Sequence, residues 1–147
     1  MKISRNGQYA LISVTDLAMH TRDSHTSLSE IAGRHKIDKG YLAQIFLILK
    51  KAGIISSIRG KGGGYFLTRL PSDITAGEVV RAAEGELAPA PCSIGDSAAQ
   101  SCDSYDSCIT KTIWRRIAEE INDTLDNITI EYIIEIYNKG NMEDETK

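Results

Sequence analysis

Along the first fifty residues the apolar positions recur at helical spacing in three separate runs. Tyr9, Leu11, Ile12, Val14, Leu17 and Ala18 make one face of a helix over about residues 7–20. After the polar stretch "TRDSHT", Ser27-Leu28-Ser29-Glu30 reads as a capping box. The serine hydroxyl accepts from one orphan amide and the glutamate carboxylate from the reciprocal one. This opens a short helix over residues 28–35 with Leu28, Ile31 and Ala32 turned inward. Asp38 is placed to cap a third helix, in which Tyr41, Leu42, Ile45, Phe46 and Leu49 repeat at helical spacing, and Gly53 to end it in a left-handed conformation.

The period then changes. Residues 54–58 and 65–68 are short β-branched and aromatic runs around a glycine-rich stretch, which predicts a β-hairpin. A helix, a helix-turn-helix and a hairpin in that order make a winged helix-turn-helix. Thr75-Ala76-Gly77-Glu78 is a second capping box ahead of a short helix carrying Val79, Val80 and Ala83. Residues 85–107 lose all periodicity, and a loop of that length in a compact domain is functional or disordered. Trp114, Ile117, Ile121, Leu125 and Ile128 then step by 3, 4, 4 and 3. Such a narrow seam suits helix packing between subunits, or else a core-facing helix. Ile130, Ile133, Ile134 and Tyr137 indicate one more short helix, and "NMEDETK" a frayed tail. The fold class is mainly α with a small β-hairpin wing: a winged helix-turn-helix domain plus a long helix.

Charge sharpens this picture. Residues 1–70 hold 11 Lys and Arg against 4 Asp and Glu, whereas residues 71–147 hold 6 against 16. A basic half joined to an acidic one is the footprint of a polyanion-binding module with a non-binding partner segment. No run approaches the roughly 20 apolar residues of a membrane span. The N-terminus has no signal-peptide cleavage pattern, so a cytoplasmic protein with no membrane partner is expected.

"RGKGGGYFL", residues 59–67, invites comparison with a nucleotide loop. A Walker loop needs G-x-x-x-x-G-K-[ST] between a strand and a helix. Here the lysine precedes the triple glycine and a strand follows it. A wing tip fits better, with Arg59 and Lys61 approaching a DNA backbone or the minor groove. The third helix is then the major-groove reader, with Lys39, Gly40, Tyr41, Ala43 and Gln44 near its exposed N-terminal turn. Gln44 can pair bidentately with an adenine edge, Lys39 can reach phosphate or guanine, and Tyr41 is equally placed for a core role.

The three cysteines, Cys92, Cys102 and Cys108, lie within 17 residues at spacing C-x9-C-x5-C. Zinc sites favour C-x2–4-C pairs and thioredoxin chemistry needs C-x-x-C, and neither is present. An odd number argues against a disulfide framework. Three thiolates on one loop can ligate an iron–sulfur cluster, with reduced, unligated thiols as the other reading. His20, His25 and His35 all lie in the basic half, so no Cys/His/Asp set suggests an enzyme.

"RNGQYAL", "LSEIAGRHKIDKGYLAQIFLILKKAGIISSIRGKGGGYFL" and "ITAGEVVRAAEG", followed by the three cysteines and "IW", resemble the IscR/NsrR family over residues 1 to about 132. These are dimeric winged-helix iron–sulfur transcription regulators of bacteria. The resemblance implies that Gly40, Tyr41, Ala43 and Gln44 enter the major groove of operator DNA, flanked by Lys39. It implies that the wing arginine, Arg59, enters the minor groove; Ser4, Gly60 and Lys61 complete the expected DNA-contacting set. It makes Cys92, Cys102 and Cys108 ligands of a [2Fe–2S] cluster, or of [4Fe–4S] as in nitric-oxide-sensing members, and a helix from near Ile109 the homodimer interface.

Three positions depart from the pattern. Lys111 stands where the cluster-biogenesis regulators place a histidine ligand, Gln8 where the nitric-oxide sensors place an aspartate, and Ala43 where a glutamate rejects some bases. Solvent, His35, Asp103, Asp106 and Gln8 are the candidates for the fourth ligand. The division this implies is a DNA-binding domain at 1–84, a cluster loop at 85–108, dimerisation helices at 109–139 and a flexible tail at 140–147. The expected function is a transcription regulator whose operator affinity follows a cluster that senses iron–sulfur status, redox state or nitric oxide. The alternative is a cluster-free repressor of cysteine or sulfur metabolism, responding through thiols or a small molecule on the same fold.

Overall fold

A computed structural model describes residues 1–20, 24–95 and 102–146. In chain order the elements are α1 (Arg5–His20), α2 (Leu28–His35), α3 (Lys39–Lys51), β1 (Ile55–Ile58), β2 (Gly64–Leu67), α4 (Ala76–Glu84), α5 (Lys111–Asp126) and α6 (Ile130–Glu145). Single 3-10 turns stand at Pro71–Asp73 and Pro91–Ser93.

The helix-turn-helix is built from its caps. At the start of α2, Ser27 Oγ accepts the Glu30 amide at 3.2 Å and the Glu30 carboxylate accepts the Ser27 amide at 2.8 Å. The helix stops at Lys36, which adopts φ 53, and the Ile37 amide reaches back to the Ala32 carbonyl at 3.0 Å. Asp38 then caps α3 by accepting the Tyr41 amide at 2.8 Å. α3 ends in a Schellman motif. Gly53, at φ 76, donates to the Lys50 carbonyl at 3.0 Å, and Ile54 donates to that of Leu49 at 3.1 Å. Leu49 and Ile54 are both fully buried, supplying the apolar contact that accompanies the motif.

One core holds these pieces. Ala10, Val14 and Leu17 of α1 meet Ile31 of α2 and Leu42, Ile45, Phe46 and Leu49 of α3, closed by Ile74, Val79 of α4 and Ile130 of α6. Each fully buried Leu, Ile or Phe contributes about 1.5–3 kcal/mol, so the rotation of α3 about its own axis is strongly set.

The hairpin is antiparallel, with Ile55 opposite Leu67 and Ile58 opposite Gly64. A third edge comes from before α2: Thr26 and Tyr65 exchange both backbone hydrogen bonds, at 3.0 and 2.8 Å. This close approach needs glycine. A Cβ on Gly64 would lie 2.6 Å from the Thr26 carbonyl oxygen, and one on Gly63 would overlap that of Ile58.

Three expectations change. The Thr75 capping box forms by half: Thr75 Oγ1 accepts the Glu78 amide at 3.1 Å, but the Glu78 carboxylate pairs with Arg69 instead. Ile128 does not continue the α5 seam, because α5 ends at Asp126. The Ile128 carbonyl accepts the Ala76 amide at 2.7 Å, and the Ile74 carbonyl accepts that of Ile130 at 2.9 Å. α6 is longer than the short helix expected and runs through "NMEDE" to Glu145. Thr129 caps it at the Tyr132 amide, 3.1 Å, and the packed Ile130, Ile133 and Ile134 supply the nucleus from which it propagates. Among the described residues no helix is long and apolar enough to cross a membrane.

Candidate nucleic-acid interface and cysteine loop

With its apolar face committed to the core, α3 leaves Lys39, Gly40 and Gln44 exposed and Ala43 half-buried. Tyr41 is also half-buried. Its hydroxyl donates to Asn6 Oδ1, and its ring meets Tyr9 edge-on at 5.8 Å between centroids. Tyr41 thus ties α3 to α1, the core-side reading of this residue. Arg59, Gly60 and Lys61 stand exposed at the hairpin tip, where Gly60 and Gly62 take φ 103 and 80. The tip is braced from two sides: His25 Nε2 hydrogen-bonds to the Gly62 carbonyl, and Lys50 Nζ donates to Ser57 Oγ at 2.6 Å. Ser4 is occupied within the fold. Its hydroxyl donates to the Glu84 carboxylate, which also accepts the Gly7 amide at 2.8 Å. Burial pushes the Glu84 carboxyl up, but these donors outweigh it and hold it below its usual range.

Behind α2 lies a charged cluster that the sequence reading did not contain. Asp16 of α1 is the buried carboxylate among the described residues. Arg34 grips it with two hydrogen bonds, at 2.9 and 2.6 Å, and His35 Nε2 adds a third at 2.7 Å. His20 stands 3.5 Å away. Burial raises the Asp16 carboxyl, yet the hydrogen bonds from Arg34 and His35 and the nearby Arg34 and His20 charges prevail, so it lies below the ordinary carboxylate value. A bidentate guanidinium fixes orientation as well as distance, so this clamp sets α2 against α1.

The cysteines flank residues 96–101, which lie outside the described set. Cys92 sits half-buried in the Pro91–Ser93 turn, beside a cleft of about 490 Å³ shared with Leu87, Arg115, Ala118 and Asn122. Cys102 is exposed, and two turn hydrogen bonds lead from it to Cys108: Tyr105 amide to Cys102 carbonyl at 3.0 Å, and Cys108 amide to Tyr105 carbonyl at 3.4 Å. The Cys108 thiol lies 3.4 Å from Thr110 Oγ1. The Thr110 hydroxyl and amide, with the Lys111 amide and charge, lower its pKa and favour the thiolate. All three thiols are free, and among the described residues no three Cys, His, Asp or Glu side chains gather within metal-binding reach. The donor chemistry suits a cluster, being three soft thiols with one biased to thiolate. The three are not drawn together.

The match to known proteins covers both halves. Residues 3–136 fit the model of the Rrf2 family, described as an iron-dependent transcriptional regulator. The chain belongs to the Rrf2 family. It is 33% identical over 147 residues to the HTH-type transcriptional regulator IscR of Pectobacterium atrosepticum, covering 98% of this chain and 87% of that one. Its fold matches that of T. potens IscR with a TM-score of 0.75 at 31% identity, over 95% of this chain and 90% of that one. The fold also matches CymR, the global cysteine regulator of B. subtilis, with a TM-score of 0.72 at 33% identity, over 90% and 95%. This Rrf2 chain is therefore a bacterial helix-turn-helix transcription regulator similar to IscR, in a family of DNA-binding regulators and not of enzymes.

Several site residues of this Rrf2 protein are placed differently from the simplest reading. Lys111 is engaged by its neighbours: Nζ lies 4.9 Å over the Tyr105 ring and donates to the Asp106 carbonyl at 3.4 Å, while Arg115 donates to the Tyr105 hydroxyl at 2.7 Å. His35, a candidate fourth ligand, is taken up by Asp16. The apolar seam of α5 is the row Ile113, Ile117, Ile121 and Leu125, four residues apart, which with Met1 and Ile3 lines a groove of about 670 Å³. Ile113, not Trp114, heads it. Of α5 only Ala118 is buried. Arg81 secures the helix to α4 through Asn122 at 3.0 Å and Asp126, and Asn122 Nδ2 donates to the Leu87 carbonyl at 2.8 Å. The sequence carried one partial hint of the Asp16 clamp, a carboxylate between Val14 and Leu17 on the buried face of α1, but no spacing names its partners Arg34 and His35 on the next helix.

Proposed function

We propose that this Rrf2 regulator binds operator DNA as a homodimer in the cytoplasm, with an affinity set by an iron–sulfur cluster on Cys92, Cys102 and Cys108. The observation that carries the reading is where the thiols lie. They occupy the connection between α4, at the end of the helix-turn-helix core, and α5, whose apolar row is exposed at Ile113 and Ile117 and half-buried at Ile121 and Leu125.

The chain's own residues divide the task along the boundaries 1–84, 85–108, 109–139 and 140–147. Gln44 addresses an adenine edge, Lys39 a phosphate or guanine, and Gly40 and Ala43 allow close approach of the groove wall. Arg59 and Lys61 reach the backbone or minor groove over the backbone of Gly60. Ser4 and Tyr41 hold the entry of α1 and α3 in place. Pairing α5 with its copy through Ile113, Ile117, Ile121 and Leu125 sets the separation of the two α3 helices, and half-site separation sets affinity. A bound [2Fe–2S] or [4Fe–4S] cluster supplies a redox- and nitric-oxide-reactive centre. Drawing Cys92, Cys102 and Cys108 to one place reorders the link from α4 to α5 and so biases that separation. With Lys111 tied to Tyr105, the fourth position falls to solvent, Asp103, Asp106, or Gln8 or His35 of either copy.

Anaerobic purification, followed by reconstitution with iron and sulfide, tests this directly. A brown protein with bound iron and sulfide, and an operator affinity that changes on cluster loss, is expected. Colourless, iron-free protein after reconstitution overturns it. A second reading is favoured by the likeness to a regulator described as one of cysteine: a cluster-free, thiol- or small-molecule-responsive repressor. Equal operator binding by wild type and the triple variant Cys92→Ser, Cys102→Ser, Cys108→Ser would favour a role independent of the cluster.

A further inference from the structure

The core takes Leu42, Ile45, Phe46 and Leu49 from α3. At about 100° per residue, the opposite face then carries Gly40, Gln44, Leu47 and Lys51, with Ala43 and Ile48 on its flanks. Leu47 is 68% exposed in the middle of that face. A lone surface leucine needs no explanation; this one has a particular setting. It lies one turn beyond Gln44 and one turn before Lys51, with Lys39, Lys50, Arg59 and Lys61 on the same helix and the wing. α3 itself contains no acidic residue, and the Asp38 carboxylate ahead of it is occupied by the Tyr41 amide. The surface around Leu47 is therefore complementary to a polyanion.

Duplex DNA is the polyanion that also presents an apolar group at the depth a helix face reaches, the C5-methyl of thymine in the major groove. We propose that Leu47 is a specificity-determining residue that packs on one thymine methyl. This rests on α3 being the major-groove reader. Ala43, one turn back, is small enough to leave the Leu47 side chain clear. Three residues along a helix advance about 4.5 Å, close to the roughly 3.4 Å between stacked base pairs, so the thymine lies next to the base pair that Gln44 addresses.

The operator is first selected from a random duplex pool with the full-length protein, purified anaerobically. Each thymine in the selected site is then replaced singly by deoxyuridine, which lacks only the methyl. At one thymine beside the Gln44 contact, wild-type affinity should fall about fourfold, the effect of uncovering one methyl-sized group. The same replacement should leave Leu47→Ala unaffected. Leu47→Ala changes an exposed position to the best helix former, so its circular dichroism and melting should match wild type. Specific binding with no methyl penalty, or the same penalty in Leu47→Ala, overturns the inference and leaves the α3 reading intact. If Gln44→Ala and Arg59→Ala bind the pool as wild type does and no sequence is selected, both fall.

Discussion

The core of this protein is drawn almost entirely from residues 10–80 with Ile130, whereas between residues 85 and 128 only Leu87 and Ala118 are buried apolar residues among those described. In the first region caps, glycines and core side chains agree on one arrangement, so α3 and the wing are positioned by the chain itself. In the second, Ile109, Ile113, Trp114 and Ile117 stand in water and three thiols lie apart. Local consistency is what makes a segment's structure independent of its surroundings. The helix-turn-helix and wing have that consistency, and the cysteine and α5 region lacks it. The contrast teaches that α3 and the wing are prefabricated, while the cysteine-bearing link and α5 leave most of their apolar side chains at the surface.

The contrast breaks first if α5 does not pair. Ile113→Glu with Ile117→Glu places charges on its exposed row. By sedimentation the protein should become a monomer, and operator affinity should drop by about a thousandfold or more, toward the non-specific level. Its melting temperature should fall only by what association contributes and lose its dependence on protein concentration, since neither residue belongs to the core. Unchanged mass and affinity would remove α5 as the interface.

Within the prefabricated region, Asp16→Asn should cost about 2 kcal/mol, because the charge-assisted hydrogen bonds from Arg34 and His35, both partly in water, weaken to neutral ones. For a chain of this size that is a melting temperature lower by about 4–8 °C. The pH dependence has a definite sign. The folded Asp16 carboxyl lies below its unfolded value, so its contribution is complete above the ordinary carboxylate range and is lost as pH falls through the depressed value. Denaturation between about pH 5 and pH 2 should therefore show a loss in wild type that is smaller in Asp16→Asn.

Gly64→Ala confines the damage further. Its Cβ would press on the Thr26 carbonyl oxygen, so the Thr26–Tyr65 pair should open at a cost of about 1–3 kcal/mol. Hydrogen exchange at the Thr26 and Tyr65 amides should accelerate while the iron content of reconstituted protein stays unchanged. Arg59→Ala should weaken operator binding about tenfold and lower the salt slope by about one, with Lys61→Ala doing less. Equal effects from the two would shift the wing contact from groove to backbone.

What could be read from the sequence follows the same division. The Ser27–Glu30 box, the Asp38 cap and the Gly53 stop are signals between residues a few positions apart, and each acts where it was expected. The wing glycines were legible because each answers a backbone demand. The Asp16 clamp was not, because Arg34 and His35 reach it from another helix, across 18 and 19 residues. Glu78 was read as the second arm of a capping box, but a competing arginine nine residues back claimed it. Ile128 kept helical spacing, yet a backbone pairing with Ala76 drew it out of the helix. Such outcomes depend on which non-local partner arrives, and spacing alone carries no record of that. The cysteine loop goes further: its spacing admits three soft donors without fixing what they hold, and among the described residues no metal-binding group forms from them.

Glu84 closes α4 immediately before the chain turns at Gly85, φ 82, into the cysteine-bearing segment, and the same carboxylate holds Ser4 and Gly7 at the start of α1. Between those two, Asn6 receives the hydroxyl of Tyr41 on α3. The exit from one region and the entrance to the other are thus a single joint, built of a carboxylate, a hydroxyl, an amide and a phenol at the protein surface. The end of α4 and the start of α3 thus meet through one short polar linkage that bypasses the oily interior.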